Sequence, residues 1–273
     1  MRSLLPPFLL MLAGCAPAEG GQRGGVVSLN PCSDQLLLAL VPPRRISALS
    51  HYSRVAGATS LPLDVARRFR STAGTAEEVI ALSPDLVVAS SFTPAATRTA
   101  FARAGLRTLY LDSPTTIAAS KAQVSELARA VGAEATGIAL RQQINAAVAE
   151  ATSDAHSDTV ISALLYINGD LVTGSGTLLD EMMRIAGFRD AAADYGLTMT
   201  GALPVETILS RPPAVILVPD GGGRSAMIRR RVLARTGKVV REIPFPRELI
   251  NCGGPTIPAA LQRLSAIRRQ MRG

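Results

Sequence analysis

The chain has no tryptophan, and only 4% of its 273 residues are aromatic. Its basic residues are not interleaved with aromatics, so the stacking platform that single-stranded nucleic acid requires is missing, and nucleic acid is excluded as a partner. Lysine is almost absent: Lys121 and Lys238 stand alone, and the net charge of +8 comes from arginine. Two histidines, His51 and His156, are too few for a zinc or manganese site of several His and carboxylate ligands, so no metal site is expected. Charged residues make up only 18%, which argues against disorder over most of the chain. Beyond the first segment no apolar run reaches ~18 residues, so nothing later should cross a membrane. "TGSGT" at 173–177 opens a helix whose amides could hold an anion. It lacks the lysine of a phosphate loop, which argues against nucleotide hydrolysis.

What is present is apolar. At 47% the chain can bury a core, in one large domain or two small ones. The basic blocks "RRFR" (67–70) and "RRR" (229–231) read as solvated helix faces; attraction to an anionic membrane, partner or ligand is the alternative. The opening "MRSLLPPFLLMLAGC" has one early positive charge, a short apolar stretch and then small residues, the pattern of an export signal. Its end, "LAGC", resembles the lipobox of bacterial lipoproteins, which implies that Cys15 becomes the first mature residue and carries lipid. An ordinary secretory signal cleaved nearby is the alternative. Residues 1–14 are thus read as a signal peptide, and 15–25 as the lipidated cysteine with a flexible tether. The mature chain is exported, periplasmic or membrane-anchored.

From residue 26 strand and helix patterns alternate. Strands are expected in "GGVVSLN", "ISALS" (46–50), "DLVVAS" (85–90) and "LRTLYLD" (106–112). Helices are expected in "SDQLLLALV", capped by Ser33 or Asp34, in 75–83 up to Pro84, in 93–105 and in 115–132. Such alternation argues for parallel sheets covered by helices. Residues 134–153 then give a proline-free helix about 30 Å long, suited to connecting two bodies. The theme restarts with a strand in 159–168, a helix in 176–188, a helix, proline break and strand in 203–220, a strand in 238–245 and a helix in 256–271. "EEVIALSPDLVV" and "ETILSRPPAVIL" echo one another: Glu206 − Glu77 and Pro213 − Pro84 are both 129. Two similar α/β halves joined by a long helix are the simplest account.

"VVSLNPCSDQLLLAL", "EEVIALSPDLVVAS", "GLRTLYLDS" and "PVETILSRPPAVILV", in this order, resemble the substrate-binding proteins of ABC importers for vitamin B12 and ferric siderophores. The resemblance spans about residues 26–270. It implies an α/β fold of two Rossmann-like lobes with parallel-rich sheets, bridged by a single long helix, with a ligand cleft between them. The lobes would be 26–132 and 154–273, and the bridging helix 133–153. It further implies a monomer with no cofactor of its own. Its partners would be a small-molecule cargo, a corrinoid, ferric siderophore or haem-type ligand, and an ABC permease dimer with its ATPase. Glu77 and Glu206 match the acidic residues, one on each lobe, that salt-bridge to permease arginines in the family. As carboxylates in a first helical turn they are also favoured by the helix dipole alone.

Ligand loops should follow strands. They offer Asn30, Cys32, His51, Tyr52 and Phe92 from the first lobe, and Asn168, Arg224 and Asn251 from the second. His51 and Tyr52 could stack on a planar ligand or bond a carboxamide, or simply pack their loop. Arg224 could meet an anionic group, and cleft arginines would suit a ferric chelate. "SHYSR" (50–54) resembles the corresponding loop of B12 binders, which tilts the reading toward a corrinoid. With Cys15 lipidated, Cys32 and Cys252 remain as an even pair in an oxidising compartment, and a Cys32–Cys252 disulfide is the first reading. Free thiols touching ligand, or inert packing, stay open. Two rival classes remain: a secreted thiol hydrolase using Cys32 and His51, and a sensor or docking lipoprotein without transport. The importer layout makes the chain a binding protein rather than an enzyme.

Overall fold

A computed structural model describes residues 24–155, 159–219, 224–235 and 240–272. The first sheet holds β1 (Val26–Ser28), β2 (Ile46–Ser50), β3 (Ser71–Thr72), β4 (Leu86–Ser90) and β5 (Thr108–Leu111). Their order is β3-β2-β1-β4-β5, and every pairing is parallel. Each crossover carries a helix where the chain is long enough: α1 (Pro31–Leu40), α2 (Leu63–Ala66), α3 (Ala76–Leu82) and α4 (Ala95–Arg103), with α5 (Ile117–Ala130) following β5. Helices on the sheet explain why β1 and β4 read as continuous apolar runs; Val27, Val87 and Val88 are wholly buried.

The bridging helix α6 (Glu134–Asp154) packs on α1 and α5. Its approach to α5 is close at Gly137, where a Cβ would stand 2.6 Å from that of Ala128. On the other side α6 meets α7 (Leu178–Ile185) and α9 (Thr256–Arg272). The second sheet is built from β6 (Ile161–Asn168), β7 (Leu171–Val172), β8 (Phe188–Asp190), β9 (Gly201–Ala202), β10 (Val215–Val218) and β11 (Arg241–Pro244). The order is β11-β10-β6-β7-β9, with β8 also on β6. β6, β8, β10 and β11 pair in parallel, while β7 is antiparallel to both neighbours. Helix α8 (Arg224–Ala234) lies between β10 and β11 in the chain. The sequence echo is structural: β10 starts 129 residues after β4 (215 − 86), and each lies beside the first strand of its sheet.

One apolar core runs through both lobes. Leu37, Leu127, Ile144, Leu165, Met183 and Ile257 belong to a single buried cluster, with Ile144 supplied by α6. Burying such a side chain contributes about 1.5–3 kcal/mol, so spreading the lobes at this point would be costly.

Three local expectations are corrected. Helix α1 begins at Pro31 and is capped by Asn30, whose side-chain oxygen accepts from the Cys32 amide at 2.8 Å. Proline is at home at that first position because its missing N–H would be unpaired anyway. Ser33 and Asp34 therefore lie inside the first turn. The helix expected in 203–210 is a single 3-10 turn, Val205–Ile208, because Pro204 and the Pro212–Pro213 pair leave too few residues to offset nucleation. Helix α8 escaped notice because its inward stripe, Ala226, Arg229 and Leu233, includes an arginine. The "RRR" block is accordingly not all solvated. Arg229 is 5% exposed. The start of the expected 238–245 strand falls outside the described residues, as do the signal peptide, Cys15, most of the tether and His156.

Candidate ligand-binding site

A cavity of about 320 Å³ opens between the lobes. The first lobe brings Asn30, Ser90 and the 111–115 loop, all at carboxyl ends of strands, as the rule for open α/β sheets requires. Across from them stand Thr173, Thr177 and Met182, with Thr200 from the loop before β9. The floor is the 250–254 segment that leads into α9.

This floor is stitched to the first lobe. Cys32 and Cys252 form a disulfide with Cα atoms 5.3 Å apart. Gln35 donates to the Gly253 carbonyl at 2.9 Å and accepts from the Thr256 hydroxyl at 3.0 Å. Ser120 accepts from the Gly254 amide at 2.8 Å. The Asn251 amide donates to the carbonyls of Gly57 and Thr59 at 3.3 and 3.2 Å. Opposite, the Glu181 carboxylate of α7 accepts from the Ile117 amide at 2.6 Å. The hydrolase reading loses its nucleophile here, because Cys32 carries no thiol.

Of the ligand residues expected from sequence, Asn30, Cys32 and Asn251 line the cavity. His51, Tyr52, Phe92 and Asn168 stand outside its lining. The His51 ring lies 4.0 Å from that of Tyr52, and its Nδ1 faces the Thr72 carbonyl at 3.3 Å. Phe92 is 80% exposed two residues beyond Ser90, at the rim, and Met199 is exposed beside Thr200. Asn168 is exposed beside the lining residue Ile167. Arg224 opens α8, and its side chain lies outside the described residues. Glu77, in the first turn of α3, and Glu206, in the 3-10 turn, are both exposed.

Sequence reasoning missed the 113–115 loop, which the post-strand rule would have found. It also missed Thr200, whose loop carried no recognisable pattern. Gly174 belongs to the same wall: a Cβ there would come 2.0 Å from the Met199 carbonyl, so this close approach requires glycine. The anion site anticipated at "TGSGT" is already filled. Asp180 accepts from the Gly176 amide at 2.9 Å, while Thr177 caps α7 by accepting from the Asp180 amide at 3.1 Å.

The electrostatics of the lining are simple. Among the described residues around the cavity, Asp112 is the one charged side chain; the other polar groups are neutral hydroxyls and amides. Behind the first-lobe wall, Asp34 is wholly buried, and burial pushes its carboxyl up to about 7. Its Oδ2 accepts from the Ser50 amide at 3.0 Å and the Ser53 hydroxyl at 2.6 Å. It thereby ties α1 to the turn that carries His51 and Tyr52.

Residues 26–242 match the family model described as periplasmic binding protein. The chain belongs to that family. A curated cobalamin-binding protein of Halobacterium salinarum is 27% identical over 236 residues, covering 79% of this chain. The match takes in 62% of that relative's length. The fold is that of the periplasmic heme-binding protein RhuT from Roseiflexus sp. RS-1, with a TM-score of 0.73 at 23% identity over 90% of this chain and 97% of that one. The periplasmic vitamin B12 binding protein BtuF of Vibrio cholerae gives 0.70 at 14% identity, over 90% and 97%. Such family members hold two lobes around a cleft, the architecture described above.

Proposed function

We propose that the chain is the substrate-binding component of an ABC importer, and that its cargo is a corrinoid. The cavity lining carries this reading. A ferric siderophore of net negative charge, or the carboxylates of a haem, would call for cations at the site, since a buried charge needs a partner. The described lining offers none and, apart from Asp112, presents hydroxyls and amides instead, a set matched to the neutral carboxamides around a corrin ring. The cavity volume of about 320 Å³ is at the small end of the ~300–1,000 Å³ usual for ligand sites. The macrocycle therefore enters by one edge, with Phe92 and Met199 at the rim covering exposed faces. The cobalamin-binding relative supports the same choice. Glu77 and Glu206 act as the permease contacts, one from each lobe (26–132 and 154–273). Cys15 carries the lipid anchor, and the protein works as a monomer.

The test is calorimetric titration of the purified mature protein with cobalamin, cobinamide, hemin, a ferric hydroxamate and a ferric catecholate. Corrinoids should bind and the iron chelates should not. Tighter binding of hemin or of either ferric siderophore overturns the cargo assignment and leaves the binding-protein role standing. Failure of every ligand, with loss of no transport phenotype on deletion, would favour a sensor lipoprotein.

A further inference from the structure

The edge of the first sheet opposite the cleft has a second recess of about 320 Å³. It is lined by Gly24, Arg44, Arg45, Asp85, Arg107 and Val131, among others. The topology explains why arginines gather there. All five strands are parallel, so their amino ends share one edge, and α1, α3 and α4 end at the same edge. Arg44 and Arg45 sit in the turn after α1, and Arg107 precedes β5. Arg103 and Arg129 occupy the last turns of α4 and α5.

One of these cations serves the fold as well. Arg45 donates to the Val131 carbonyl at 2.7 Å, completing the end of α5. Among the described residues, the acidic groups of this edge are Asp85, whose Oδ2 accepts from the Gly25 amide at 2.7 Å, Glu134 at the start of α6, and Glu126 three residues before Arg129 on α5. Against five exposed arginines they leave the edge positive. With Asp85 inside it, the recess cannot be a strong site for one small anion. Such a cationic face works best against a surface that presents many anionic groups at once.

Gly24 lies in this recess, nine residues after Cys15. Nine residues span roughly 30 Å at most. If Cys15 is the lipid anchor, the tether holds this edge within that distance of the bilayer, and the cleft faces away. The geometry points to a membrane-facing role: the arginine edge formed by Arg44, Arg45 and Arg107 binds the phosphate headgroups of anionic lipids. This rests on the lipoprotein reading and is independent of the cargo. It gives the importer component a resting posture on the membrane from which docking through the opposite, cleft-side face must lift it.

The experiment uses the mature chain from residue 16, which lacks the lipid and keeps every described residue. Its sedimentation is measured with phosphatidylcholine vesicles, alone or mixed with phosphatidylglycerol. Retention should require phosphatidylglycerol and weaken with salt, because screening shortens the reach of exposed charges. Arg44→Glu and Arg107→Glu, each a change of two charge units, should each lower the partition coefficient by at least roughly fivefold. Arg141→Glu on α6 should leave it unchanged. Cargo affinity and melting temperature should match the parent in all three; if a reversal unfolds the protein, Arg44→Gln with Arg107→Gln replaces it. Equal retention of the edge variants and the parent overturns the proposal, as does absence of retention. Saturable binding of inorganic phosphate at this edge without vesicle retention would assign it to a free anion instead.

Discussion

Cys32 and Cys252 are joined across the lobe boundary, at a sequence separation of 220 and a Cα separation of 5.3 Å. The bond forms part of the cavity wall and ties the mouth of α1 to the segment entering α9. It lies within a band of hydrogen bonds from Gln35, Ser120 and Asn251 to the same segment or across it. Closing so long a loop restrains the unfolded chain, and such bridges contribute about 2–4 kcal/mol. Cys32→Ser with Cys252→Ser should lower stability by about that amount in urea denaturation. The doubly substituted protein should still fold, because the continuous core and the hydrogen bonds remain. An unchanged urea midpoint would show that the bridge restrains nothing.

Asp34 should make stability fall as pH rises. Its carboxyl titrates at about 7 in the fold against 3.8 ordinarily, because burial disfavours the charge. Between those values the folded state holds a proton that the unfolded chain has lost, so raising the pH favours unfolding. The stability conferred is complete below 3.8 and is gone above about 7. Asp34→Asn keeps an oxygen for Ser50 and Ser53 and removes the titration. Its stability profile should be flatter than the parent's across this window, by a few kcal/mol at most. A parallel pair of profiles would assign the pH dependence to other groups.

Arg229 is held from two sides. Its guanidinium carbon lies 4.6 Å from the centre of the Tyr166 ring, and its Nε donates to Glu242 at 2.6 Å. Glu242 also accepts from Arg230 at 2.8 Å, so removal of Arg229 does not strand the carboxylate entirely. Arg229→Ala should cost about 2–3 kcal/mol from lost packing and pairing. Arg230→Ala, at an exposed partner, should cost less than about 1 kcal/mol. Equal effects in thermal or chemical denaturation would contradict this ranking.

Glu77 and Glu206 are exposed on separate lobes, outside the cavity lining. Reversing both charges, Glu77→Lys with Glu206→Lys, should abolish cargo uptake by cells and leave calorimetric affinity for cargo unchanged. An exposed pair alone is worth roughly 0–1 kcal/mol, so single reversals should reduce uptake only in part. Loss of affinity in the double variant would show that these residues serve the cleft.

Much of the architecture could be read from periodicity. β1, β2, β4 and β5 are short apolar runs bounded by turns, α6 is a long proline-free helix, and the spacing of 129 between Glu77 and Glu206 exposed the repeat. What could not be read were the pieces whose identity depends on a neighbour. Strands of two residues, β3, β7 and β9, have no pattern of their own and exist because a partner strand accepts their hydrogen bonds. Helix α8 hides its inward face because Arg229 is apolar in position only once Tyr166 and Glu242 surround it.

The candidate site divides in the same way. Local chemistry marked Asn30, Cys32 and Asn251 as cleft residues, because each follows or precedes an element end. Whether a post-strand residue faces the cavity depends on the turn it enters. His51 and Tyr52 start a 3-10 turn held from behind by Asp34, and this sets them outside the lining. Residue order alone determined the alternation of strand and helix and the two-lobe repeat, because these rest on short-range periodicity and counting. Only the tertiary structure decided that Cys32 meets Cys252, that the lining carries no arginine among its described residues, and that arginines collect at the opposite edge. Those facts depend on which distant segments the shared core brings together.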